Sequence, residues 1–168
     1  MNNWKKLNQS IKNSDRIVLS THMNPDGDGL GSAVAMHSYI SGLGIDCRII
    51  QISKFPSQYS FLNDSNIIET YDLTIHDSWL NKVDLALIFD IGSYNRLGPI
   101  GDRFMSNKTK VINIDHHPKL NDERFHEHYI NIEAAATGEL VYDFLQENQI
   151  ILNGLMLLEA LKRKKKDF

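Results

Sequence analysis

Three short stretches of this 168-residue sequence concentrate side chains that bind cations or move protons. The first is Thr21-His22-Met23-Asn24-Pro25-Asp26-Gly27-Asp28, where one imidazole and two carboxylates sit close together in a segment whose Pro25, Gly27 and Gly29 permit a tight turn. The second is Asp90, and the third is Asp115-His116-His117. Mixed imidazole and carboxylate donors suit Mn²⁺, Zn²⁺ or Fe²⁺ better than Ca²⁺. Plainer roles exist. The first stretch could be an Asx-rich turn capping a helix, with Asp28 near its N-terminus. Asp90 follows an almost wholly apolar run, where an ionised carboxylate is costly unless paired or bound to a metal; a hydrogen bond to a neighbouring loop is the alternative. Asp115-His116-His117 offers both a ligand and a proton carrier, which is harder to assign to structure alone.

Weaker candidates surround these. Arg96 lies six residues after Asp90 and has the fork geometry for a phosphate, although a surface arginine reads the same way. Thr137-Gly138 opens a helical pattern, so its backbone N–H groups could meet an anion, or Thr137 could simply cap the helix. His37 is expected in packing or at the surface. His76, His126 and His128 lie in polar stretches and are expected to be exposed.

The elements that must carry these groups follow from periodicity. Trp4, Leu7 and Ile11 suggest a short amphipathic opening helix. RIVLST (16–21) reads as a buried strand, residues 27–41 as a helix ended by Gly42 and Gly44, and DCRIIQI (46–52) as a second strand. Residues 53–66, with Pro56, read as a loop holding one helical turn. VDLALIFDI (83–91) and KVINID (110–115) are strands, and 136–148 is a helix with Leu140, Val141, Phe144 and Leu145 on one face. Strands alternating with helices predict an α/β three-layer sandwich with a mostly parallel sheet of about five strands. Ligands bind beyond the carboxyl ends of such strands, so the three clusters should converge on one sheet edge.

Hydrophobic residues make up 42% and charged residues 23%, as in ordinary globular domains. The net charge of −3 gives no global attraction for nucleic acid, although a small anion could bind at a local cationic group. Cys47 is the only cysteine, which excludes a disulfide framework and a cysteine-based zinc site and fits a reducing cytoplasm. The segment MNNWKKLNQSIKNSD lacks the apolar core of a signal peptide. No apolar run approaches the ~18 residues that span a bilayer, so a membrane partner is not expected.

The clusters together resemble the DHH phosphoesterase superfamily. THMNPDGDGLGS (21–32) is similar to its first motif, FDIGSYNRLG (89–98) to its second, and NIDHHP (113–118) to the third. AAATGELVYDFL (134–145) is similar to the following helix in the nanoRNase/pAp-phosphatase-like branch. The resemblance implies a two-metal phosphoesterase, usually manganese-dependent with Mg²⁺ as the alternative, acting on short oligonucleotides or nucleotides. Carried over position by position, His22 and Asp26 would hold one metal, Asp28 and His116 the other, and Asp90 would bridge them. His117 would face the phosphate or leaving group, and Asp115 would orient the histidines; Arg96 and Thr137 are the candidate substrate contacts from the residues themselves.

The sequence departs from the family after Gln149. A fourth motif, a strand ending in Asp, and a C-terminal substrate domain are expected there, whereas the chain reads IILNGLMLLEALKRKKKDF. Leu152, Leu155, Met156 and Ala160 predict a short helix instead, and neither Asp143 nor Asp167 substitutes for the missing ligand. The expected organisation is a metal-binding domain over 1–149 and a short helix with a basic tail over 150–168. That pattern fits a truncated or frameshifted member or half of a split system, completed by a homodimer partner or a C-terminal domain. The competing expectations are a catalytically weak or partner-dependent remnant, and a relative acting on cyclic dinucleotide, pyrophosphate or single-stranded DNA.

Overall fold

The computed structural model describes residues 2–118 and 122–151. The helix and basic tail expected over 150–168 lie almost wholly outside the described residues. The chain opens with α1 (Trp4–Lys12), whose first turn is capped by the Asn3 side chain accepting from the Lys6 N–H, and which buries Trp4, Leu7 and Ile11. It then runs through β1 (Arg16–Thr21), α2 (Gly27–Gly42) and β2 (Asp46–Gln51). A 3-10 segment (Ser57–Leu62) leads into β3 (Ile68–Thr70), α3 (Leu73–Leu80) and β4 (Leu85–Phe89). A second 3-10 turn (Tyr94–Leu97) precedes α4 (Pro99–Asn107), β5 (Lys110–Asp115), β6 (Glu127–Ile130) and α5 (Thr137–Glu147).

The strands form one six-stranded sheet in the order β3-β2-β1-β4-β5-β6, with every pairing parallel. Strand residues alternate between two cores, as the two-residue period of a pleated strand requires. Ile17, Leu19, Leu87, Phe89, Ile112 and Ile114 pack with α1, α2 and α5 on one face. Val18, Ala86, Ile88 and Val111 pack with α3 and α4 on the other. Each fully buried aliphatic side chain contributes about 1.5–3 kcal/mol, so the central strands are fixed from both sides.

This is the expected three-layer α/β class, with six strands where about five were expected. The underestimate lies at the two edges. β3 and β6 are three and four residues long and include Glu69, Thr70, Glu127 and His128, so neither carries a continuous apolar run. They are strands because a neighbour supplies a ladder, and a local apolar pattern cannot show that. His76 also differs from expectation. It is 2% exposed, with Nε2 3.1 Å from Glu69 Oε2 and Nδ1 accepting the Asp72 N–H at 2.8 Å. Its polar sequence neighbours conceal that α3 turns this position inward. No described helix is long and apolar enough to cross a membrane.

Candidate metal centre

The sheet order reverses between β1 and β4, and crevices at such a switch point receive ligands. Register makes the placement concrete. Thr21 lies beside Phe89, and Phe89 beside Ile114. The next residues are His22, Asp90 and Asp115, so all three lie at the carboxyl-end edge of the sheet.

Asp90 sits at the centre. It is 2% exposed and adopts φ +56°, a left-handed conformation that an L-residue takes at some cost and that Asp and Asn tolerate best. Its two oxygens face different histidines. Oδ2 is 3.9 Å from His22 Nε2, while Oδ1 is 3.5 Å from His116 Nε2 and 3.5 Å from His117 Nδ1. The Thr137 hydroxyl donates to Oδ1 at 3.3 Å. Donor atoms of His22, Asp26 and Asp90 lie within 4.8 Å of one another, and so do those of Asp90, His116 and His117.

The turn after β1 serves two purposes at once. Asp26 caps α2, accepting from the N–H groups of Asp28 (2.9 Å) and Gly29 (3.2 Å), while still reaching His22 and Asp90. α2 presses against β1 so closely that a methyl group on Gly29 would fall 2.1 Å from Thr21 Oγ1. Asp28 lies in the first turn of α2, with Oδ2 3.7 Å from His116 Nε2. Both its oxygens accept from the start of α5: Oδ2 from the Thr137 N–H and Oδ1 from the Gly138 N–H, each at 2.9 Å.

Those contacts change the reading of Thr137. The anion met by the first N–H groups of α5 is internal, the Asp28 carboxylate. Thr137 is fully buried, and its hydroxyl reaches Asp90. Its N–H and its hydroxyl thus hold two of the carboxylates in place. Arg96 does reach the centre, with Nη2 2.8 Å from His22 Nδ1.

Backbone carbonyls set the histidines. His22 Nδ1 lies 2.7 Å from the Met23 carbonyl and His116 Nδ1 3.3 Å from that of Ala134, an arrangement that turns each Nε2 toward the carboxylates. Asp115, 1% exposed, accepts from the His117 N–H at 3.1 Å and lies 2.8 Å from His117 Nδ1. Sequence reading missed the Met23 and Ala134 carbonyls, which carry no side-chain signal.

The electrostatics are those of a cation site. Burial, reinforced by the charges of Asp28, Asp26 and Asp115, pushes the Asp90 carboxyl up to about 7. Burial opposes protonation of His117, but its hydrogen bond to Asp115 and the charges of Asp115 and Asp90 carry it above its ordinary value. Four carboxylates thus converge on a buried point, and the arginine that reaches it contacts an imidazole. Divalent cations relieve such crowding, and the carboxylate and imidazole donors match them chemically.

Residues 16–163 match the model of the DHH family, N-terminal domain. Among curated proteins, the chain is 29% identical over 154 residues to the Streptococcus mutans protein named "Probable bifunctional oligoribonuclease and PAP phosphatase NrnA", covering 91% of this chain and 46% of that one. It thus spans less than half the length of that relative. Among solved structures, an exopolyphosphatase-related protein from Bacteroides fragilis superposes with a TM-score of 0.78 at 22% identity, covering 86% of this chain and 43% of the other. RecJ from Thermus thermophilus, in complex with Mn²⁺, gives a TM-score of 0.51 at 15% identity, over 89% of this chain and 21% of RecJ.

Proposed function

Because the chain belongs to the DHH family, we propose that it is a metal-dependent phosphoesterase acting on phosphate esters of short oligonucleotides or nucleotides. The observation that carries this reading is Asp90, whose two oxygens face two separate groups of ligand side chains. The substrate class is supported by the Streptococcus mutans relative, whose name gives oligoribonuclease and PAP phosphatase activities. Mn²⁺ is the proposed ion, on the mixed donor set and on the Mn²⁺ complex of RecJ, which shares the fold; Mg²⁺ is the second choice.

His22 and Asp26 would hold one cation, Asp28 and His116 the other, and Asp90 both. When bound, such a pair supplies Lewis-acid polarisation of the phosphoryl group and a nucleophile at neutral pH. The chain's own residues do the rest. Asp115 takes the Nδ1–H of His117 and fixes its ring, leaving Nε2 to exchange a proton with the ester oxygen. A raised His117 pKa suits a proton donor near neutrality. Arg96 is the candidate contact for a phosphate oxygen. We assign this chemistry to residues 1–149.

A second reading, a metal-binding chain that turns over only with a partner, is favoured by His117, whose side chain is 48% exposed. One assay addresses both. Hydrolysis of a chromogenic phosphodiester, a dinucleotide and pAp is followed with Mn²⁺ and with EDTA, with the chain alone and with the C-terminal domain of a relative added. Mn²⁺-dependent turnover abolished by Asp90→Asn is the expected result. Metal binding without turnover until the domain is added selects the second reading, and failure to bind Mn²⁺ overturns both.

A further inference from the structure

His22 Nδ1 has two neighbours that make opposite demands. The Met23 carbonyl, 2.7 Å away, accepts only, so that contact is a hydrogen bond when Nδ1 carries the proton. Arg96 Nη2, 2.8 Å away, donates only, so that contact is a hydrogen bond when Nδ1 is bare. A neutral imidazole satisfies one of them at a time. The other ring nitrogen, Nε2, faces Asp90 Oδ2 at 3.9 Å. With Nδ1 bare, the Nε2–H points at that carboxylate; with Nδ1 protonated, the Nε2 lone pair does.

We propose that His22 and Arg96 form a metal-gated latch: cation binding at His22 switches the imidazole tautomer and releases the Arg96 guanidinium to bind a phosphate dianion. The inference rests on the proposed metal centre. A cation at His22 requires the Nε2 lone pair, which moves the proton to Nδ1. One proton leaves Nε2 and one is taken up at Nδ1 through water, so the ring is neutral in both states. The Nδ1–H then bonds to the Met23 carbonyl, as metal-ligating histidines commonly do. Arg96 loses its acceptor, and the side chain left without its partner is a half-buried cation beside the site where a phosphate is expected. Its backbone stays in place, because its carbonyl accepts the Met23 N–H at 3.0 Å.

Two consequences follow. In the metal-free protein Arg96 is latched onto His22, and a phosphate must compete for it. In the loaded protein it is free, so metal and phosphate reinforce each other's binding, reciprocally and by the same factor. Breaking the latch also opposes metal binding. Removing Arg96 should therefore tighten the first cation by at least about tenfold, the scale of one hydrogen bond from a charged donor, and the loss of a neighbouring positive charge works in the same direction.

The test uses the full 168-residue chain, ¹⁵N-labelled, with Zn²⁺ as a diamagnetic cation and AMP as the phosphate probe. Imidazole ¹⁵N–¹H correlation spectra, with His22 identified by its loss in His22→Gln, report which ring nitrogen carries the proton. The expected result is an Nε2–H tautomer without metal and an Nδ1–H tautomer with Zn²⁺. The Arg96 side-chain signal should shift on AMP addition strongly in the loaded protein and weakly in the metal-free one. In Arg96→Ala the metal-free ring should already be Nδ1–H. An Nδ1–H tautomer in the metal-free parent, with Zn²⁺ still binding, overturns the latch and leaves the metal centre standing. No Zn²⁺ binding overturns the metal centre and the latch together.

Discussion

Asp28 Oδ2 accepts the Thr137 N–H at 2.9 Å, joining the first turn of α2 to the first turn of α5. The Gly138 N–H closes on the other oxygen at the same distance. One carboxylate therefore neutralises the positive end of α5 while lying 3.7 Å from His116 Nε2. Replacing it tests structure and metal binding together. Asp28→Ala should cost about 1–2 kcal/mol, the scale of a lost helix-terminal acceptor. Asp28→Asn keeps one acceptor oxygen but turns an NH2 donor toward the second N–H, so it should also lose stability, and it should weaken the cation beside His116 by at least about tenfold. Denaturant melts and Mn²⁺ calorimetry on both variants check this; equal Mn²⁺ affinity in Asp28→Asn and the parent would contradict the ligand role.

Asp90→Asn should raise stability in EDTA and abolish stabilisation by metal. Asn tolerates the left-handed backbone at this position and removes a buried charge crowded by Asp28, Asp26 and Asp115. In the parent, Mn²⁺ at about 100 times its dissociation constant should add about 2.7 kcal/mol. Thermal melts with and without Mn²⁺ measure both effects, and a variant that Mn²⁺ stabilises as much as the parent would remove Asp90 from the centre.

The metal-free protein should lose stability as pH rises from about 4 toward 7. The Asp90 carboxyl is raised to about 7 in the fold, against about 4 in the unfolded chain. Between those values the folded state binds more protons than the unfolded one, so unfolding free energy falls with increasing pH and levels off above 7. Metal affinity should move the opposite way, since the cation displaces that proton. Melting in EDTA across about pH 4.5–8, compared with Asp90→Asn, isolates this contribution; identical slopes for the two proteins would rule it out.

Gly29→Ala should destabilise the protein despite alanine's better helix propensity of about 1 kcal/mol. The new methyl would fall 2.1 Å from Thr21 Oγ1 and 2.9 Å from its Cβ, and Thr21 Oγ1 donates to the Phe89 carbonyl at 2.7 Å. Overpacking of this kind costs about 1–3 kcal/mol, or roughly 3–10 °C in Tm at this size. The displaced segments end at His22 and Asp90, so Mn²⁺ affinity should fall as well. A melting temperature at or above the parent's would show that α2 can move away without loss.

By itself the sequence determined the fold class and the central strands. β1, β4 and β5 are buried on both faces by helices, so each needs a nearly unbroken apolar run. The runs lead into His22 and Asp90 just beyond β1 and β4, and into Asp115 as the last residue of β5. Tertiary structure decided the rest. β3 and β6 are strands only because β2 and β5 offer ladders. His76 is buried by Glu69 and Asp72, which its own helical pattern does not contain. Thr137 bonds Asp28, which is 109 residues away. The pairing of Arg96 with His22 spans 74 residues. Local pattern reports whether a segment will be covered; which atom covers it depends on contacts between distant segments, and these exist only once the chain has closed.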